Sequence, residues 1–245
     1  MSGAARSVQI ELLVPSEIRA ALARRSMVYI PLGTYEWHGE HLPIGLDGLT
    51  AHGLCIQAAL RDGGLVCPPL YYGTGGGHGA YPWTIMADEA EIADLLSRTL
   101  ARLEDFGVAN AVLLSGHFAG EQIAMIEAMA QARHGDGGRM RVRALAVNMA
   151  TGLSLEPDHA ALFETTLLGA LWPNRVRIEL LPPLASAPAI DPDGDSMGPH
   201  RHDPKHPLFG IFGPDPRWFD PEAAPALLDA MVDWLVDQVR QNQAL

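Results

Sequence analysis

The sequence is short of two residue types, lysine and cysteine. Lys205 is its only lysine, and the 245 residues carry 17 basic against 29 acidic side chains, a net charge of −12. With no basic cluster in an acidic chain, we exclude a nucleic-acid-binding module, because phosphate contacts require Lys and Arg. Cys55 and Cys67 are too few for a disulfide framework, which predicts a reducing, cytoplasmic environment.

Long apolar runs are also missing. No stretch approaches the roughly 18–20 residues of a membrane span, and residues 1–15 lack the continuous apolar core of a signal peptide. The Gly-x-Ser-x-Gly nucleophile motif and the His-Glu-x-x-His zinc motif are absent as well. Hydrophobic residues nevertheless make up 48% of the chain. With no internal repeat or linker, we expect one globular domain over residues 1–245.

Apolar runs and helical periodicities alternate along the chain. Such alternation predicts an α/β fold with a mostly parallel sheet covered by helices on both faces. The predicted strands are residues 27–33, 65–70 (limited by two prolines), 110–116, 142–147 and 175–181. The predicted helices are residues 17–25, 50–60, 88–106, 121–132, 160–172 and 223–241. The Pro-, Gly-, Asp- and His-rich stretch 184–217 is too long for a simple connection and indicates a functional or surface-covering loop.

Candidate metal ligands follow two of these strands. Glu36, His38 and Asp47 come after the first, and His117 follows the strand 110–116. Parallel strands end on one edge of a sheet, so these side chains can converge, and carboxylate with imidazole suits Zn²⁺ or Mn²⁺. Asp47 begins a helix and could bridge two ions. The alternative is a polar loop with two exposed histidines. We interpret His41 as a residue that supports the site or fixes the loop, not as a ligand.

Three segments resemble the signatures of the creatininase (creatinine amidohydrolase) family. They are PLGTYEWHGEHLPIGLDGLTAHG (31–53), LLSGHFAGEQ (113–122) and HAALFETTLLGALWP (159–173). The resemblance covers residues 28–173. It implies a three-layer α/β/α sandwich and two divalent metal ions per subunit, Zn and/or Mn, with Fe as a further option.

The resemblance also carries individual residues over. Glu36, His38, Asp47 and His117 match the family's metal positions, with Asp47 bridging. The chain departs from creatininase at Ala119, where the family protein has a metal-binding Glu. We expect Glu164 to replace it. Its rival is Glu121, kept as a catalytic candidate, whose alternative reading is an ordinary acid in the first turn of a helix.

Further residues are expected around the pocket. His159 is the candidate proton donor to a leaving group, oriented by Asp158; its alternative is a helix-start residue bonded to backbone. His78, in the glycine-rich stretch 71–85, matches a pocket histidine of the family. Trp37 and Phe118 are candidate substrate contacts. We interpret His200, His202 and His206 as members of a solvated loop, with a part in walling the pocket as the alternative.

Together these features predict a metal-dependent hydrolase that opens a small cyclic, creatinine-like amide. One alternative keeps the metal site but changes the substrate to a cyclic sugar-derived ketone, a lactone or a formamide. Another is a non-catalytic binding protein on the same fold, against which the four retained ligands argue. The resemblance implies a homo-oligomer, possibly a hexamer, and no nucleic-acid or membrane partner.

Overall fold

A computed structural model describes residues 7–135 and 139–241. Strands and helices alternate along it as the sequence predicts. The strands are β1 (Met27–Leu32), β2 (Leu65–Val66), β3 (Asn110–Ser115) and β4 (Arg141–Ala146). The helices are α1 (Pro15–Arg24), α2 (Leu46–Asp62), α3 (Glu89–Asp105), α4 (Gly120–Gly135), α5 (Leu162–Leu171) and α6 (Ala224–Gln241).

The four strands form one parallel sheet in the order β2–β1–β3–β4. β1 and β3 are therefore central neighbours, and their register places Leu32 beside Ser115 at the carboxyl edge. β2 is only two residues long, because Pro68 and Pro69 follow it and cannot donate ladder hydrogen bonds. This arrangement brings the loops that follow β1 and β3 to the same edge of the sheet.

Helices cover both faces of the sheet and give the three-layer α/β/α sandwich. Side chains alternate along β1: Met27 and Tyr29 pack against α2, α5 and α6, whereas Val28, Ile30 and Leu32 pack against α3 and α4. Alternate strand residues point to opposite faces, so a strand buried on both sides reads as a continuous apolar run. Every residue of β1 is accordingly buried.

Besides the shortened β2, two further sequence predictions differ from the structure. Helix α2 begins at Leu46, not at residue 50. The predicted strand over residues 175–181 is wrong: this stretch holds single 3-10 turns, Pro173–Arg175 and Ile178–Leu180. Its apolar residues match a strand pattern, but the Arg177 amide donates to the carbonyl of His41, in the loop after β1. The chain here packs against that loop and adds no strand to the sheet.

A third apolar cluster anchors residues 184–217, the stretch predicted from the sequence to be a functional or surface-covering loop. Leu208 and Ile211 of this segment are buried against Leu42 and Leu46, near the start of α2. The segment therefore lies over the carboxyl edge of the sheet, and the fully buried Arg201 within it does not fit a wholly solvated loop. Among the described residues, no helix is both long and apolar enough to cross a membrane.

Candidate metal centre

The loops after β1 and β3 deliver the predicted ligands to one point. Glu36 and His38 follow β1, His117 follows β3, and Asp47 lies in the first turn of α2. Glu164 joins them from the first turn of α5, in front of the same edge. All five residues are at most 5% exposed, which is rare for ionisable groups unless they are paired or bind a metal.

Two glycines allow α2 to approach the strand ends closely. A Cβ atom on Gly33 would lie 2.1 Å from the backbone nitrogen of Gly48. One on Gly116 would lie 2.1 Å from the carbonyl oxygen of Asp47. Side chains at these positions would displace the helix, so the two glycines fix where Asp47 stands relative to β1 and β3.

The five side chains form two triads that share Asp47. Glu36, Asp47 and His117 make the first, and His38, Asp47 and Glu164 make the second. His117 Nδ1 lies 2.8 Å from Glu36 Oε2 and 3.5 Å from Asp47 Oδ2. His38 Nε2 lies 3.1 Å from Asp47 Oδ1 and 3.6 Å from Glu164 Oε2. The two oxygens of Asp47 therefore face different triads, as a bridging carboxylate requires.

Backbone carbonyls orient both candidate ligand histidines. His38 Nδ1 donates to the carbonyl of Glu36 at 2.9 Å, and His117 Nε2 donates to the carbonyl of Thr74 at 3.2 Å. In the neutral rings the inner nitrogens then present lone pairs to the carboxylates. Glu36 Oε2, His38 Nε2 and Asp47 Oδ2 are buried without a hydrogen-bond partner. Facing lone pairs of this kind call for a cation between them, and the donor set fits a divalent metal ion.

The pKa values of the two histidines also indicate that the cluster favours a bound positive charge. Burial alone lowers the pKa of His38, but Asp47 and Glu164 outweigh it and raise the pKa to about 10. Burial likewise opposes protonation of His117, and Asp47 and Glu36 raise its pKa to about 10. Without a metal, these rings would carry the protons that neutralise the carboxylates; metal ions compete for the same lone pairs.

Glu164, favoured from the sequence, lies in the second triad. Its Oε2 accepts from the amide of Ala160 at 2.6 Å. Asp158 accepts from three amides at the start of α5, among them that of Glu164 at 3.3 Å. Burial first, and then the charges of Asp47 and Asp158, raise the pKa of Glu164 well above its ordinary value. Through its three hydrogen bonds to backbone amides, Asp158 stabilises the start of the helix that carries Glu164.

Glu121 lies elsewhere. Its side chain is exposed and belongs to neither triad. Its Oε2 accepts from the amide of Gly76 at 3.2 Å, and the neighbouring Gln122 accepts from the amide of Thr74 at 3.0 Å. The first turn of α4 thus holds the glycine-rich loop in place, and Gly75, Gly76 and Gly77 adopt left-handed backbone conformations there.

A cavity of about 180 Å³ opens onto the two triads. Phe118 and His78 line it together with Gly76 and Ala119. His78 Nδ1 donates to Glu36 Oε1, so the glycine-rich loop brings a polar group into contact with the first triad. The cavity wall carries no Lys or Arg among its lining residues.

His159 also lines the cavity, and its ring lies close to those of His38 and His78, at centroid distances of 4.6 and 4.5 Å. Its Nε2 donates to the carbonyl of Trp37 at 3.1 Å. Burial first, and then the neighbouring His38, lower its pKa to about 3. The ring is therefore neutral, with the Nδ1 lone pair unprotonated. The Trp37 ring does not line the cavity and packs against Phe209.

Phe212 is a site residue that the sequence did not indicate. Its ring stacks on His78 at 5.7 Å and lies 6.0 Å from His159. The ring of His202 also lies near it, at a centroid distance of 4.7 Å. The segment interpreted as solvated thus contributes an aromatic wall beside the site. The only sequence signal was the unusual length of that segment.

Comparison with known proteins gives a consistent picture. Residues 11–239 match the family model described as Creatininase: Creatinine amidohydrolase. Creatinine amidohydrolase of Pseudomonas putida is 27% identical over 197 residues, 71% of this chain and 75% of that protein. A 3-dehydro-scyllo-inosose hydrolase of Thermotoga maritima is 29% identical over 45% of this chain and 36% of its own length. A mycofactocin precursor peptide peptidase of Mycolicibacterium smegmatis is 28% identical over 54% and 51%.

Solved structures share the fold. A crystal structure of creatinine amidohydrolase (creatininase) matches with a TM-score of 0.76 and 24% identity, over 97% of this chain and 98% of that chain. A mutant creatininase of Zn-Zn type gives 0.73 at 23% identity over 97% and 98%. A structure described as creatininase Mn gives 0.74 at 24% identity over 96% and 98%.

Proposed function

Because this chain belongs to the creatininase family, we propose that it is a metal-dependent hydrolase that opens a small cyclic amide. The observation that carries the proposal is the pair of buried triads sharing Asp47, with three polar atoms left without hydrogen-bond partners. Glu36 and His117 would hold one divalent ion, His38 and Glu164 the other, and Asp47 both. The Zn and Mn forms of the creatininase structures support these two metals.

Bound divalent ions supply two things at such a site: they lower the pKa of water towards neutrality and they polarise a carbonyl oxygen. The protein's own contribution is to hold the ligands and manage protons. We assign His159 the proton transfer. With its Nε2 hydrogen donated to the Trp37 carbonyl, Nδ1 is free to accept the proton of the attacking water and to pass it to the leaving nitrogen.

The position of His159 suits both steps, because the ring lines the cavity and lies close to those of His38 and His78. Its surroundings lower the pKa of the ring, so a proton that it takes up is readily passed on. A poor leaving group such as an amide nitrogen needs a strong proton donor in the transition state. The carbonyl of Trp37 accepts the Nε2 hydrogen of His159, and the Trp37 ring does not line the cavity. We therefore propose that Trp37 orients His159 and that its ring does not contact the substrate.

The cavity indicates the kind of substrate. A volume of about 180 Å³ suits a small molecule better than a peptide, and no lining Lys or Arg offers a partner to a substrate carboxylate. His78 is placed to hydrogen-bond a bound substrate, and Phe118 supplies an apolar surface. The likeness to the 3-dehydro-scyllo-inosose hydrolase supports one alternative, a cyclic ketone opened at the same metal pair. The homo-oligomer stays a prediction from the family resemblance.

Metal analysis with a hydrolysis screen tests the proposal. We expect about two equivalents of Zn²⁺ or Mn²⁺ per chain, and turnover of a member of a panel of cyclic amides, lactones and cyclic ketones. Asp47→Asn should lose metal from both triads and abolish turnover. Protein that holds less than one equivalent and gains no activity with added Zn²⁺ or Mn²⁺ would refute the proposal. Ligand binding without turnover, unchanged in Asp47→Asn, would identify a binding protein.

A further inference from the structure

Arg201 is a fully buried arginine in the segment that covers the site. Its guanidinium is 0% exposed and pairs with Asp191 through two bonds, Nε to Oδ1 at 2.7 Å and Nη2 to Oδ2 at 2.8 Å. His200 Nε2 donates to the same Oδ1 at 2.9 Å. A bidentate pair of this kind fixes direction as well as charge.

The remaining donors of Arg201 reach the backbone on either side of Phe212. Nη1 donates to the carbonyl of Ile211 at 2.7 Å, and Nη2 lies 3.5 Å from the carbonyl of Gly213. The Arg201 carbonyl in turn accepts from the amide of Gly210 at 2.8 Å. The guanidinium therefore holds the two carbonyls that flank Phe212, and the Arg201 backbone holds Gly210 just before them.

Phe212 passes this constraint to the site. Its amide donates to the carbonyl of His159 at 2.8 Å, and the His159 amide donates back to the carbonyl of Phe212 at 3.0 Å. The Phe212 ring also stacks on His78, with an angle of 13° between the planes. The two histidines beside the candidate metal centre are thus supported by one residue, and that residue is held by Arg201.

The carboxylate and histidines around Arg201 could in principle form a metal site of their own, since Asp191, His200 and His206 offer atoms close together. The hydrogen bonds argue against it. His206 Nδ1 accepts from the amide of Leu208 at 3.0 Å, so in the neutral ring the Nε2 that faces Asp191 carries the hydrogen. Both oxygens of Asp191 are already used by Arg201. The cluster is built around the guanidinium.

We propose that the pair of the buried Arg201 with the partly exposed Asp191 is a positioning device that sets His159 and His78 against the candidate metal centre through Phe212. An ion pair with a buried member adds little net stability compared with apolar side chains of similar volume, so specific geometry is the better reason for one here. Small displacements of a proton-transfer group cost far more in rate than in folding free energy. The inference rests on the proposed function for its kinetic part only.

The test compares three variants. Arg201→Met removes the guanidinium, and the double variant Arg201→Met/Asp191→Leu replaces the whole pair by apolar side chains, so that no buried charge is left alone. Arg217→Met is the matched control. Arg217 is also buried and bidentate with Asp215, but its other donors reach the carbonyls of residues 182 and 187, away from Phe212.

Native-state hydrogen exchange of the His159 and Phe212 amides is the first readout. We expect the double variant to fold and to keep the metal content of the parent protein, yet to lose protection of these two amides by at least about tenfold. Its kcat should fall by about 10- to 100-fold with a smaller change in KM. Arg217→Met should retain both protection and kcat.

Three results would overturn the inference: unchanged amide protection in both Arg201 variants, unfolding of both, or an equal loss of protection in Arg217→Met. Protection lost with kcat retained would also contradict it, because the pair would then position nothing that the reaction uses. If the parent protein binds no metal and turns over no substrate, the proposed function fails, while the exchange data still decide whether Arg201 positions Phe212 and His159.

Discussion

At the scale of single residues, Glu164 and Glu121 show how burial separates two carboxylates that the sequence leaves as rivals. Glu164 is 4% exposed and within reach of His38, whereas Glu121 is exposed and bonded to a loop amide. In the structure each of them lies in the first turn of a helix. Only the position of α5 in front of the sheet edge makes one of them a candidate ligand.

The matched pair Glu164→Gln and Glu121→Gln tests this assignment. We expect Glu164→Gln to drop from about two to about one bound metal ion and to lose at least about 100-fold in kcat, because the triad of Glu36, Asp47 and His117 is left intact. Metal content in Glu121→Gln should be unchanged. Elemental analysis of both variants, beside the parent, measures the difference. Loss of an ion from Glu121→Gln instead would reverse the assignment.

The residues near strand ends were accessible to sequence reasoning, and those of the covering segment were not. Glu36, His38, Asp47 and His117 follow recognisable strands, and strand ends in a parallel sheet meet. Phe212 and Arg201 belong to a stretch without periodicity, where no pattern states which residues turn inwards. Arg201 is buried by its pairing with Asp191, ten residues away, and a charged residue in a polar stretch predicts exposure.

At the scale of elements, the start of α2 depends on glycines at the ends of β1 and β3. Gly116→Ala would place a methyl group 2.1 Å from the carbonyl oxygen of Asp47. We expect it to destabilise the fold by about 1–3 kcal/mol and to reduce metal content, since Asp47 must move. A Cβ on Gly120, four residues on, meets nothing within 4 Å.

Gly120→Ala is therefore the control. It should keep full metal content and stay within about 0.5 kcal/mol of the parent in urea unfolding. Equal behaviour of the two alanine variants would show that the close contact between α2 and the strand ends does not position Asp47.

Periodicity predicted the long helices and the central strands well, because their apolar faces are written in the local sequence. It failed at residues 175–181, where the apolar residues pack against the loop after β1 in place of a sheet. That packing depends on a loop far earlier in the chain, which the local sequence pattern does not show. Periodicity also started α2 at residue 50, one turn after its observed start, although Asp47 was expected to begin a helix. That first turn has no capping side-chain hydrogen bond, and Gly33 and Gly116 allow its close contact with the strand ends.

At the scale of the whole molecule, buried neutral histidines link folding to pH. His41 is 0% exposed; burial first, and then His38, lower its pKa to about 3 from 6.5. Between pH 6.5 and about 3, His41 is therefore protonated in the unfolded chain and neutral in the folded chain. This contribution to stability is complete above pH 6.5 and is lost as pH falls towards 3, at about 1.4 kcal/mol per unit.

His41→Gln should flatten that dependence. Its amide can keep a hydrogen bond to Thr165, the partner of His41 Nε2 at 3.0 Å, but it does not titrate. Urea unfolding of both proteins, metal-free in excess chelator, should give a shallower loss of stability for the variant between pH 6.5 and 4.5. Parallel pH profiles would mean that His41 does not contribute. His159, whose pKa is similarly lowered, contributes to the pH dependence of stability in both the parent and the variant, so some loss of stability at low pH remains in each.

The shared position of Asp47 has a consequence for the order in which the protein is made. The triad of Glu36, Asp47 and His117 is complete once residue 117 has been synthesised, while the other waits for Glu164, 164 − 117 = 47 residues later. At the roughly 5–20 residues per second of translation, those residues take a few seconds. Under the proposed metal assignment, a nascent chain would therefore hold all ligands of one ion before the last ligand of the other is made, and the two metals would have separate opportunities to bind.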